Sequence, residues 1–145
     1  MISDKKIIIN ADDYGLSNSF NNGIEKAYLE GFLTSTSIRT NGKNYSKKIM
    51  DALKDRCPDL GLGLHFNIVE GKTDLEIKDQ KFNMYTEEGF YNLSYISIIL
   101  NSFRKDFRKQ VELELREQIE RIIMDLGYVD HINSHQHCNT PPIIF

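Results

Sequence analysis

The chain has 145 residues, enough for one domain with a core and too few for two ordinary ones. Hydrophobic residues make up 40% and charged residues 27%, a composition that excludes a disordered chain. A net charge of −3 at pH 7, with lysine and arginine scattered along the chain, gives no basis for a nucleic-acid partner. Cys57 and Cys138 lie far apart, which argues against a disulfide framework and for a reducing compartment. The apolar run at residues 7–9 is too short for a signal peptide or a membrane span, so the expected location is cytoplasmic, with no membrane partner.

Short apolar runs, polar clusters and helical patterns follow one another in that order. Residues 7–10 predict a strand that stops in the loop Ala11-Asp12-Asp13-Tyr14-Gly15. Ser17 or Ser19 caps the next helix, with Phe20, Ile24, Ala27 and Tyr28 as its apolar face and Gly31 at its end. Residues 34–40 predict a second strand, and residues 45–53 a short helix with Ile49, Met50 and Leu53 inward. Residues 60–67 predict a third strand. Periodicity then fades over residues 69–90, a length that predicts a functional lid or a mobile loop. The helical pattern returns over residues 93–126, with Phe107, Val111, Leu115, Ile119, Ile122 and Leu126 on one stripe. Residues 129–134 form the fourth predicted strand and run into His135-Gln136-His137. Pro141-Pro142 reads as the first turn of another helix. Strands alternating with helices predict parallel strands with right-handed crossovers, an α/β layer or barrel. The expectation is a single domain over residues 1–145, a partial (β/α)-barrel-like fold that stops before closure.

Ligands of parallel α/β folds bind at the carboxyl ends of the strands. Three of the four predicted strands end in groups suited to a metal: Asp12-Asp13, His65 and His135-Gln136-His137. Alternation puts Ile7, Ile9 and Asp13 on one face, likewise Gly61, Gly63, His65 and Asn67. His131, Asn133, His135 and His137 share a face if the backbone stays extended past Ser134. The glycines before His65 leave room for a backbone or a ligand to approach. One carboxylate with two imidazoles suits a catalytic divalent cation, zinc comfortably and magnesium less so. Asp-Asp alone reads as a turn or cap and His65 alone as a core histidine, while His-x-His at a strand end is the stronger signal for a metal or catalytic site. Their convergence at one end of a sheet favours function. Cys138 reads as packing, the Ser35-Thr36-Ser37 run as strand surface, and Gly61-Leu62-Gly63 fails as a phosphate loop because no helix opens after it.

The run Ile8-Ile9-Asn10-Ala11-Asp12-Asp13-Tyr14-Gly15-Leu16-Ser17, then Asn22-Gly23-Ile24 and Leu33-Thr34-Ser35-Thr36-Ser37, resembles the opening of the YdjC-like (chitooligosaccharide deacetylase) family. Gly63-Leu64-His65-Phe66-Asn67 and His131-Ile132-Asn133-Ser134-His135-Gln136-His137 resemble its second and third motifs. The resemblance implies a (β/α)-barrel-like fold and removal of acetyl groups from acetylated sugars such as chitobiose, with a divalent metal (Mg2+ or Zn2+) as cofactor. It implies Asp13, His65 and His135 as metal ligands, Asp12 as general base and a small acetylated sugar as partner. His137 is a candidate for the acid that protonates the leaving amine. The sequence departs from the family pattern at Asn133, where Asp is usual, and at Asn139, where His is usual. Family members also run on well past the end of this chain. Two rival expectations stand beside the deacetylase. One is a non-catalytic half-barrel that binds metal or sugar or associates, as a homo-oligomer or with another chain. The other is a metal-dependent hydrolase of a different ester or amide.

Overall fold

A computed structural model describes residues 5–75 and 84–139. Its elements run β1 (Asn10–Tyr14), α1 (Asn18–Glu30), β2 (Ser35–Ile38), α2 (Lys47–Arg56), β3 (Gly61–Phe66), α3 (Tyr95–Asn101), α4 (Lys105–Leu126) and β4 (Ile132–Ser134). The strands form one sheet in the order β1-β2-β3-β4, with every neighbouring pair parallel, as the strand-helix alternation predicts.

Register gives the sheet two unlike faces. Asn10 pairs with Ser35 and Ser35 with Gly61, Ser37 with Gly63, and His65 with Asn133, so these residues share one polar face. Thr36, Ile38, Leu62, Leu64 and Phe66 point the other way, into a core with Ile24, Met50, Leu53, Phe107, Val111 and Ile122 from the helices. Each fully buried leucine or phenylalanine contributes about 1.5–3 kcal/mol. Three of the four described α-helices start where the sequence supplies caps: Ser17 accepts from the Phe20 N–H, Ser46 from the Ile49 N–H, and Ser94 and Ser97 cap each other reciprocally. Gly127, at φ 86°, ends α4 in the left-handed region. No helix among the described residues is long and apolar enough to cross a membrane.

Four expectations change. β1 begins at Asn10, and Ile7 and Ile8 are 76% and 81% exposed. β1 is an edge strand, and among the described residues nothing buries its apolar lead-in, although the Ile9 carbonyl still accepts from the Thr34 and Ser35 N–H groups. In α1, Phe20 and Ala27 face outward while Asn21, Ile24 and Glu25 are buried. Polar anchors set that rotation: Asn21 Oδ1 accepts from the Gly15 N–H at 2.7 Å, and Glu25 Oε1 accepts from Tyr14 Oη at 2.8 Å and Arg56 Nη2 at 2.7 Å. The long helical pattern divides into α3 and α4, because the Ser102 hydroxyl turns back to the Ile99 carbonyl and Arg108 reaches the Ser102 carbonyl.

The fourth change concerns the excursion after β3. Its described ends pair antiparallel at Lys72 with Phe90 and at Tyr85 with Tyr91. They lie on α4, where Thr73, Tyr85 and Tyr91 donate their hydroxyls to the buried Glu114 carboxylate. Burial raises the Glu114 pKa above its ordinary value even though these three hydrogen bonds favour the ionised form. Residues 76–83 and the expected helix start at Pro141-Pro142 lie outside the described residues.

Candidate metal centre

The carboxyl ends of β1, β3 and β4 bring Asp13, His65 and His135 together from three distant parts of the chain. Asp13 Oδ1 lies 3.5 Å from His65 Nε2 and 3.3 Å from His135 Nδ1, and the two nitrogens are 3.2 Å apart. Donors held at about 2.1 Å around one cation stand about 3.0–3.4 Å from each other, between octahedral and tetrahedral angles. The triangle, with sides of 3.2–3.5 Å, is close to that size. Buried Asp13 Oδ1 and His135 Nε2 also have no hydrogen-bond partner among the described residues. An orphaned carboxylate oxygen facing two imidazole nitrogens fits a divalent cation with mixed oxygen and nitrogen ligands.

Local backbone irregularity makes the triangle possible. The β1–β2 register shifts between Ala11 and Tyr14, and Asp13 sits at φ 68°. Simple alternation would send Asp12 and Asp13 to opposite faces. The bulge with its left-handed residue returns both to one end of the sheet, a use of bulges common beside functional sites. On β4 the extended path ends at Ser134, and the 3-10 turn His135–His137 has Gln136 at φ 49° and His137 at φ 54°. The parity argument that aligned His137 with His135 therefore fails at the turn, and His137 is exposed there, outside the three-residue group.

Hydrogen bonds fix the surrounding protons. Asp12 Oδ1 accepts from Asn10 Nδ2 at 2.8 Å, Ser37 Oγ at 2.7 Å and Asn133 Nδ2 at 2.7 Å. Partial burial works against the Asp12 charge, but these donors and the nearby His65 outweigh it and lower its pKa. Because the Asn133 amide nitrogen donates to Asp12, its oxygen is the acceptor for His65 Nδ1 at 2.7 Å. His65 then carries its proton on Nδ1 and turns a lone pair on Nε2 toward Asp13 and His135. An Asp at position 133 could accept from His65 but could not donate to Asp12, so the departure at Asn133 keeps one hydrogen bond and adds another. Asn139 accepts from the Ser134 hydroxyl.

Sequence reading missed several residues that build this site. Ser35 and Ser37 are buried and wire Asn10, Asp12 and His65 together, where strand surface was expected. The space left by Gly63 is taken by His131, whose ring occupies the place a Cβ would need. Arg39, 2% exposed, reaches Asp13 Oδ1 at 3.5 Å and Glu70 Oε2 at 3.4 Å. The shared parity of Ser35 and Ser37 along β2, continued by Arg39 just past its end, was the signal available for these. Cys138 is buried and free, with its thiol pushed up to about 11 by burial, in keeping with packing.

The sequence profile described as YdjC-like protein matches residues 6–145. The chain belongs to the YdjC-like family. This YdjC-like chain is 31% identical over 136 residues to a carbohydrate deacetylase of Thermoanaerobacter pseudethanolicus, covering 94% of this chain and 52% of the relative. It is 32% identical over 143 residues to a chitooligosaccharide deacetylase of Serratia marcescens, covering 98% and 53%. A solved structure from Enterococcus faecalis, named for a proposed cellobiose-phosphate cleavage role, superposes with a TM-score of 0.74 at 26% identity. That match covers 93% of this chain and 50% of the neighbour. The YdjC-like chain thus spans about half the length of the relatives it matches.

Proposed function

We propose that this chain carries the cation-binding half of a carbohydrate N-deacetylase, with Asp13, His65 and His135 as ligands and a small acetylated amino sugar as substrate. The observation that carries the reading is the triangle of donor atoms 3.2–3.5 Å apart with an orphaned buried carboxylate oxygen. The names of the relatives, carbohydrate and chitooligosaccharide deacetylases, support the substrate class. One carboxylate with two imidazoles favours zinc over magnesium. A divalent cation bound there polarises an amide carbonyl oxygen and lowers the pKa of water.

The residues of the chain then have distinct tasks. Asp12, held ionised by its donors on Oδ1, takes a proton from the attacking water. The hydroxyl oxygen joins the acetyl carbon, the carbon–nitrogen bond breaks, and the amine leaves with a proton, giving acetate and a free amino sugar. His137, exposed on the turn after His135, is the proposed donor of that proton. Asn133 and Ser37 keep Asp12 and His65 in register.

Acetate release from diacetylchitobiose with added zinc or magnesium tests the reading. Asp12→Asn is expected to keep cation binding and to lose about 100-fold or more in turnover, the usual worth of a general base. Full activity in that variant would remove Asp12 from the role. A second reading, a non-catalytic module that associates, draws on exposed apolar residues along both open edges: Ile7 and Ile8 beside β1 and Ile132 on β4. Light scattering separates the two, because a monodisperse monomer argues against association.

A further inference from the structure

The two histidines of the triangle each have a second ring nitrogen, and the chain treats the two differently. For His65, the Asn133 oxygen accepts from Nδ1 at 2.7 Å. For His135, Nδ1 faces Asp13 and His65, and the opposite nitrogen, Nε2, has Glu70 Oε2 at 3.5 Å. Glu70 stands beyond the far edge of the ring, outside the donor triangle, so it is placed to orient His135 and not to join the ligands.

Glu70 is also held firmly for a side chain that is half exposed. The Asn67 side chain closes a turn around its backbone, accepting from the Glu70 N–H at 3.1 Å and donating to its carbonyl at 2.6 Å. Asn67 is itself fixed, since Gln118 of α4 pairs with both its N–H and its carbonyl. Buried Arg39 donates to the Glu70 carbonyl at 3.0 Å and faces Oε2 at 3.4 Å, while Gln136 Nε2 donates to Oε1 at 3.1 Å. Arg39 offsets the charge of Glu70, so this carboxylate can orient an imidazole without adding net negative charge to the centre. An N–H donated to a carboxylate fixes the tautomer and rotation of a ligating histidine and strengthens it as a ligand.

We propose that Glu70, clamped by Arg39 and Gln136, is the positioning carboxylate of His135: it accepts from Nε2–H when Nδ1 gives its lone pair to a cation. The inference rests on the reading that Asp13, His65 and His135 hold a divalent cation. The apolar patches on α3 and beside β1 offer no comparable set of partners.

Calorimetric titration of zinc into the parent, Glu70→Ala, Glu70→Gln and Gln136→Ala tests it, with Asp13→Ala as the control for the centre itself. Glu70→Ala is expected to weaken zinc binding by about 10–100-fold, with the zinc-free protein still folding cooperatively. Glu70→Gln is expected to keep part of the affinity, because an amide oxygen still accepts, and Gln136→Ala to lose least. In the zinc-loaded parent the His135 Nε2 proton should be protected and visible by NMR, and in Glu70→Ala it should exchange away. Zinc binding as tight in Glu70→Ala as in the parent would overturn the inference and leave the deacetylase reading standing. A Gln variant as weak as the Ala variant would overturn the acceptor role. A parent that binds no zinc would overturn both readings.

Discussion

Glu114 and Asp13 each sit in a polar cluster, and the two clusters end differently. Glu114 is buried with hydroxyls from Thr73, Tyr85 and Tyr91 on its two oxygens. Asp13 sits among two imidazoles and a guanidinium, yet its buried Oδ1 has no hydrogen bond among the described residues. The first cluster is closed and fastens the ends of the excursion to α4. The second brings donor atoms of Asp13, His65 and His135 together from three strand ends. Satisfied hydrogen bonding separates a structural polar cluster from one built for a ligand.

The contrast can be broken experimentally, and the centre offers the largest effect. Asp13→Ala should abolish zinc binding in calorimetry, a loss greater than the ~10–100-fold typical of removing an orienting partner. The fold should survive with a cost of about 1–2 kcal/mol, since alanine meets a backbone penalty at φ 68°. Glu114→Ala should do the reverse. It leaves hydroxyls without an acceptor and opens a cavity, so urea unfolding should show a loss of about 3–5 kcal/mol, with zinc affinity of the folded protein within about threefold of the parent. A loss under ~1 kcal/mol would mean that the Glu114 cluster is not the fastening described.

Gly63→Ala probes the polar face of the sheet. An added Cβ falls on the His131 ring, and the expected cost in urea unfolding is about 1–3 kcal/mol. The smallest effect is a pH shift. Burial first, and then the charge of Arg39, lower the His135 pKa below its ordinary 6.5, against the pull of Asp13 and Glu70. Protonation of His135 competes with a cation, so a lowered pKa keeps the imidazole available as pH falls past 6.5. Arg39→Met removes one of the lowering influences, and zinc affinity should therefore begin to fall at a higher pH than in the parent. An unchanged or lower onset would contradict that sign.

Much of the architecture was legible in the residues. Parallel strands, their order of appearance and the carboxyl-end location of the site follow from alternating apolar runs and from where Asp13, His65 and His135 fall. What escaped has physical causes. Residues 7–9 look like a strand because β-branching is a local signal, whereas burial depends on a covering layer that local sequence does not reveal. Alternation fails at Asp13 and Gln136 because each takes a positive φ that no hydrophobic pattern encodes. Glu70 escaped because its surroundings looked aperiodic, and only the folded turn at Asn67 brings it to His135. Polar residues on α1 and α4 escaped for a related reason: Asn21, Glu25, Glu114 and Gln118 are buried by partners contributed from elsewhere in the chain.

The left-handed backbone at Asp13 narrows what can occupy that position. Few side chains other than aspartate, asparagine and glycine adopt such a φ without strain. Glutamate, though an equally good ligand in solution, meets a backbone penalty there and overshoots by a methylene. Asparagine, by contrast, suits the conformation and removes only the charge. An Asp13→Asn exchange should therefore leave the sheet undisturbed while weakening the proposed cation site, a separation of fold from ligand set that a single atom makes at this position.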